Sequence, residues 1–252
     1  RPIFAESGKS VDIKADASHL KEMEVKGTKT NELMTKFRQS ILNDTPPQEK
    51  KHAEDFIKAN TKSVVSLYLI RKYFFANSSP DYDKALSLLA LLEKEQGKNP
   101  LFGKMKTWAT DTKNSSVGKQ LPTFTAYDLN GKMVSSADLS SAPVAVIYTW
   151  ASYNYDSQEL QRELKRRQKK ANGRLKMMGF CLDASKYECK QNIKRDSITS
   201  PTICNGEMME DKTLNKLGLK SLPNIILLQN GKIIARGMKK QELYNKLDQL
   251  LK

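Results

Sequence analysis

The most reactive side chains of this chain are three thiols, Cys181, Cys189 and Cys204. An odd number cannot form a closed disulfide framework, so at least one thiol stays free or pairs between molecules. Their intervals fit no zinc-ligand spacing. The only histidines, His19 and His52, stand far off in the other half, so no metal and no other cofactor is expected. Thiol–disulfide exchange needs a thiolate to attack a disulfide sulfur and a second thiol to resolve the mixed disulfide. Lys186 and Lys190 flank Cys189 and could favour a thiolate. A redox-sensing or peroxide-reactive pair drawn from the three is therefore one expectation. The plainer expectation, and the preferred one, is that all three are small buried hydrophobes, as free cysteine usually is.

Charge offers a second chemistry. The 252 residues carry 43 Lys+Arg against 28 Asp+Glu, a formal net charge of +15. Such a balance suits an anionic partner or a basic protein with solvated lysines. The densest run is Arg162, Lys165, Arg166, Arg167, Lys169, Lys170, Arg174 and Lys176. It has no interleaved aromatics for stacking bases. Leu160 and Leu164 already supply a core face there, so the rest reads as a solvated side and no nucleic-acid partner is expected. The longest apolar stretches, such as Pro143–Tyr148 and Asn224–Leu228, have strand length and not the length of a membrane span. No secretory signal is visible, and the opening Arg-Pro-Ile-Phe fits a processed or trimmed product.

The elements that must position these groups fall into two halves, enough chain for two domains. Residues 1–29 read as strands, Ser10–Lys14 and Glu24–Lys26, with Gly8 and Gly27 as punctuation. Two short strands cannot bury a core. Either they dock on the next part of the chain or they are the remnant of a larger β domain. Residues 30–116 read as helical. Thr30 caps a helix with Leu33, Phe37 and Ile41, and Asp44-Thr45-Pro46-Pro47-Gln48 carries cap, first-turn proline and capping box. Ser63 opens a largely buried helix, Ser79-Pro80 starts one that runs to Gly97, and Asn99-Pro100 starts one containing Phe102, Met105 and Trp108. Asp111–Ser116 reads as the linker. Residues 117–252 then alternate strand and helix. Pro143–Trp150 is a β-branched run suited to a central strand. A helix from Ser157 to Lys170 comes next, then strand Leu175–Leu182, helix Ser185–Arg195 and strand Thr202–Cys204. Two strands about Gln229-Asn230-Gly231 and a helix Lys239–Leu251 close the chain. The alternation predicts an α/β sheet flanked by helices.

Particular residues in this order resemble the thioredoxin superfamily, in its branch of TlpA- and ResA-type thiol-disulfide oxidoreductases and AhpC/TSA-like peroxiredoxin relatives. Gly118-Lys-Gln-Leu-Pro122-Thr-Phe124 is similar to the opening Gly-x-x-x-Pro-x-Phe of that branch, and Asp128–Lys132 to its hairpin. Trp150-Ala151-Ser152 matches the end of its first central strand. Leu222-Pro223, with an apolar strand and Asn230-Gly231-Lys232 after it, resembles its cis-proline loop and last hairpin. The resemblance covers about half the chain. It implies a thioredoxin-like C-terminal domain, a mixed sheet flanked by helices, behind a mainly helical N-terminal domain with a short β segment.

The departure is at the centre of the family's chemistry. Where the branch has Trp-Ala-Ser-Trp-Cys-x-x-Cys, this chain reads Trp150-Ala151-Ser152-Tyr153-Asn154-Tyr155-Asp156-Ser157. Asn154 stands at the nucleophile position and Ser157 at the resolving position. An amide has no thiolate-like state, and a serine needs an adjacent base that this half lacks. Dithiol chemistry is therefore excluded at that place, and no catalytic residue is expected there. The resemblance still implies a peptide-binding groove of Tyr153, Tyr155, Leu222 and Pro223. It makes a protein or peptide the expected partner, against an alternative as a thiol-disulfide oxidoreductase or antioxidant protein using Cys181, Cys189 or Cys204. It also implies the periplasm or cell envelope, as a lipoprotein whose only membrane contact is a lipid anchor outside this chain.

Overall fold

Local start signals decide most of the first hundred residues. The computed structural model describes residues 1–76 and 80–252, and the predicted helix start at Ser79 lies outside the described residues. Two compact units divide the chain, Arg1–Thr110 and Asp111–Lys252. In the first, β1 (Asp12–Lys14) and β2 (Glu24–Lys26) pair antiparallel. The hairpin docks through β2: Val25 is buried, and its main-chain N–H donates to Thr35 Oγ1 at 3.0 Å. Thr35 lies on α1 (Lys29–Ser40), whose cap is Thr28 and not the expected Thr30. Gly27 turns the chain at φ +99, Thr28 is extended, and its side chain accepts the Asn31 N–H at 3.3 Å.

Helix α2 (Pro46–Ala59) begins as its sequence predicts. Pro46 and Pro47 fill the first turn, where no N–H is missed, and Gln48 Oε1 accepts the Thr45 N–H at 2.9 Å. α3 (Val64–Ile70) is capped by Ser63 and passes into a π turn, Arg71–Phe75. α4 (Tyr82–Gln96), capped by Asp81, and α5 (Pro100–Asn114) as far as Thr110 complete the unit, and the end of α5 from Asp111 belongs to the second. Phe37, Ile57, Leu69, Phe74, Leu89 and Phe102 lie in one apolar core. The stretch read as a linker is largely the last turn of α5, with Thr112 and Ser115 buried. Its burial has a cause. Arg236 donates to Ser115 O at 2.6 Å and to Leu217 O and Gly218 O at 3.0 and 2.9 Å, and a Cβ on Gly218, at φ +64, would stand 2.6 Å from Thr112 Oγ1.

The second unit is a five-stranded mixed sheet. A small hairpin, β3 (Thr125–Tyr127) and β4 (Met133–Ser135), and a short helix α6 (Ser136–Ser140) lead into β5 (Val144–Trp150), all seven residues of which are buried. After it come α7 (Tyr155–Lys170), β6 (Leu175–Cys181), α8 (Lys186–Arg195), β7 (Thr202–Ile203), α9 (Lys212–Lys216), β8 (Ile225–Gln229), β9 (Lys232–Arg236) and α10 (Lys240–Leu250). The strand order is β7-β6-β5-β8-β9, with β5, β6 and β7 parallel and β8 and β9 antiparallel. Residues alternate between two cores. One holds Trp150 and Tyr148 with Leu160 and Leu164 of α7, Cys189 of α8 and Leu243 and Leu247 of α10. The other holds Ile147 and Phe180 with Leu139 of α6 and Leu214 of α9. Truncating any of these fully buried large side chains to alanine costs about 2–5 kcal/mol.

Candidate functional site

Helix α7 begins at Tyr155, two residues before the expected Ser157, because Asn154 is a good cap. Its Oδ1 accepts the Ser157 N–H at 2.8 Å. Ser157 is fully buried: its hydroxyl accepts the Ala151 N–H at 3.1 Å and donates to Asn154 O at 2.8 Å. The rest of the turn is equally tied. Asp183 Oδ1 accepts the Ser152 N–H at 2.9 Å, and the Gln158 side-chain amide donates to Ser152 O. The two positions where the resemblance expects a dithiol thus hold neutral groups spent on capping and closing the turn. A serine in this setting has no base among its hydrogen-bond partners and no route to solvent.

The groove residues separate into two kinds. Tyr153 and Tyr155 are 67% and 73% exposed. Arg162 lies 5.8 Å from the Tyr155 ring, which sets that ring against the flank of its own helix. The Leu222–Pro223 bond is cis, and Leu222 packs on the second core. Thr149 near the end of β5 holds this loop on both sides. Its Oγ1 donates to Ser221 O at 2.9 Å and accepts the Asn224 N–H at 2.7 Å. Between those two anchors, among the described residues, neither the N–H nor the C=O of Leu222 has a hydrogen-bond partner. The loop and the Ala151–Asn154 turn meet at the same end of β5.

The three thiols, distant in sequence, converge. Cys181 ends β6, directly across from Trp150 in the parallel register, Cys189 lies in α8 and Cys204 comes just after β7. Their Sγ atoms all lie within 4.8 Å of one another, and the residues are 5%, 0% and 5% exposed. All three are free thiols, in the core that the plainer reading assigns them. The proximity is what sequence spacing could not supply. Cys204 donates to Asp183 O at 3.6 Å. Hydrogen bonds from Cys181 and Cys189 hold the Cys204 thiol well below the ordinary thiol range, helped by the Gly206 N–H and the Lys186 charge. The Cys181 thiol is correspondingly pushed up by its hydrogen bonds to Cys189 and Cys204 and by burial. That of Cys189 is pulled down by Cys181 but pushed up further by Cys204 and burial. Of the two flanking lysines, Lys186 acts on Cys204 through its charge. Asp183, which sequence reasoning passed over, joins both places: it takes the Ser152 N–H on one side and the Cys204 thiol on the other, and its Oδ2 is buried without a partner. The acid placed just after a strand ending in Cys181 was the available signal.

The basic run on α7 is substantially engaged within its own unit. Arg162 pairs with Asp196 at 3.3 Å, Arg166 with Glu163 at 2.8 Å and Arg167 with Asp248 at 3.2 Å, and Lys165 donates to Asp196 O at 2.8 Å.

No protein-family model and no curated protein matches the chain. Among solved structures, the second unit is similar to the C-terminal domain of an inferred thiol-disulfide oxidoreductase of Bacteroides thetaiotaomicron, with 26% identity over 55% of this chain and 97% of that one and a TM-score of 0.48. It is also similar to a thiol-disulfide oxidoreductase of Bacteroides fragilis, with 28% identity over 52% and 99% and a TM-score of 0.47. A third is the thioredoxin domain of a thiol-disulfide oxidoreductase of Bacteroides vulgatus, with 21% identity over 54% and 99% and a TM-score of 0.46. The fold rests on the unit's own architecture: a sheet of order β7-β6-β5-β8-β9, helices on both faces, a helix starting just past the central strand and a cis-proline opposite it. By that architecture the C-terminal unit of this chain is a thioredoxin-like domain.

Proposed function

We propose that the C-terminal unit is a non-catalytic binding domain that takes an extended segment of a protein or peptide. The observation that carries this reading is the unengaged main chain of Leu222. Strand addition needs an unpaired donor and acceptor on the main chain, and half-buried Leu222 offers both between two anchored neighbours. Tyr153, two-thirds exposed at the adjacent turn, supplies an aromatic contact of the kind that dominates small interfaces. Tyr155 contributes less, being set against Arg162. The absence of cysteine at Asn154 and Ser157 leaves this surface nothing to exchange with a bound segment. The periplasm or cell envelope, with a lipid anchor outside this chain, is the setting we propose on the sequence resemblance. No helix of the described residues is long and apolar enough to cross a membrane.

The test pairs two measurements. Insulin reduction with a dithiol donor should be undetectable for the wild type and restored in the Asn154→Cys/Ser157→Cys variant. Fluorescence anisotropy with reduced, alkylated insulin B chain should report binding to the wild type, weakened about tenfold by Tyr153→Ala. Insulin reduction by the wild type, or binding indifferent to Tyr153, overturns the reading. A second reading, a thiol-based antioxidant or redox protein, is favoured by the mutual approach of the three sulfurs. Their burial keeps a bulky disulfide substrate from them.

A further inference from the structure

The buried thiols have a chemistry that neither reading uses. Three sulfur donors lie within 4.8 Å of one another in the buried core, and no histidine lies in this unit to add a nitrogen donor. Soft thiolate ligands select soft ions, among which Cu(I) accepts a three-coordinate shell, whereas structural Zn(II) takes four ligands in a tetrahedron. No carboxylate joins the three sulfurs as a mutually close fourth donor among the described residues. Asp183, whose main-chain carbonyl accepts from Cys204, leaves a carboxylate oxygen buried and unpartnered beside the cluster.

We propose that Cys181, Cys189 and Cys204 form a trigonal three-sulfur site for Cu(I). Each thiol that ligates as a thiolate releases its proton to solvent. Copper enters and remains as Cu(I), so no electron is transferred and no oxidant or reductant is consumed. Trp150, across from Cys181 in the register and in the same core, is a built-in reporter of occupancy. Because the sulfurs are covered, loading proceeds through local opening and is slow beside diffusion.

The reduced full chain is equilibrated anaerobically with Cu(I) supplied as its bicinchoninate complex, with Zn(II) as a parallel arm. The expected result is uptake of one Cu(I) per chain, an ultraviolet thiolate-to-copper band, a change in Trp150 emission and a first shell of three sulfurs by X-ray absorption. Cys→Ser at any of the three positions should weaken Cu(I) by at least about 10–100-fold, the loss seen when even a ligand's supporting partner is removed. Zn(II) should compete poorly. Should a variant fail to fold, the sulfur count and the thiol protection of the copper-loaded wild type still decide the matter. Copper uptake no greater than that of a folded Cys181→Ser/Cys189→Ser/Cys204→Ser chain, a shell without three sulfurs, or tighter Zn(II) than Cu(I) binding overturns the proposal.

Discussion

Two places in the C-terminal unit divide between them what a thiol-disulfide enzyme keeps together. The turn at the start of α7 has the helix end and the solvent exposure, but its polar groups are an amide and a hydroxyl that close on each other. The cluster behind it has the sulfur, three thiols within 4.8 Å of one another, yet is buried. Asp183 links the two through Ser152 and Cys204. The comparison shows that sulfur is chemically defined by its position: exchange needs a thiolate that a substrate can reach, and burial withdraws that while leaving coordination by a small ion open.

The largest test of the contrast is thiol reactivity. Alkylation of the three cysteines in the folded, metal-free protein should be slower than in denaturant by about a thousandfold or more, because reaction waits on opening of a core segment. One thiol reacting rapidly in the native state would erase the distinction between a buried cluster and an accessible site. The dependence on pH comes next. Cys181 and Cys189 are pushed up, so above the ordinary thiol value of about 8.5 the unfolded chain loses protons that the folded chain retains, and stability falls as pH rises. Cys204 is pushed down; its contribution is complete above about pH 8.5 and is lost as pH falls toward its folded value. Between pH 8 and 10 the wild type should therefore lose about 2–4 kcal/mol more than the chain with all three cysteines changed to alanine. Urea denaturation at each pH reads this difference, and parallel slopes would mean that the cluster titrates as ordinary thiols do.

Much of the second unit was legible because its signals are local or repeated. The β-branched run became the fully buried β5, and Leu222-Pro223 became the loop opposite it. The capping box at Thr45 and Gln48 was equally readable. The thiol cluster was not, since it depends on long-range register, Trp150 against Cys181 and Phe180 against Ile203, and on α8 folding back over the sheet. The helix start at Tyr155 was missed for a different reason. Asparagine in the place of the family's cysteine is itself a strong helix cap, and Thr28, extended after the Gly27 turn, caps α1 two residues before Thr30.

The smallest expected effect lies in the α7 turn itself. If the α7 turn is structural, its two polar residues should be worth stability and nothing in exchange chemistry. Ser157→Ala leaves the buried Ala151 N–H without an acceptor and should cost about 1–3 kcal/mol. Asn154→Ala removes only the cap at a more open position and should cost about 1 kcal/mol. Asn154→Asp separates cap from charge: the carboxylate keeps the acceptor for the Ser157 N–H and adds a favourable interaction with the helix N-terminus, so it should match or slightly exceed the wild type. Thermal denaturation of the three variants gives the order directly. A loss in Asn154→Asp as large as in Asn154→Ala would mean that the amide nitrogen, and not the oxygen on Ser157, holds this turn.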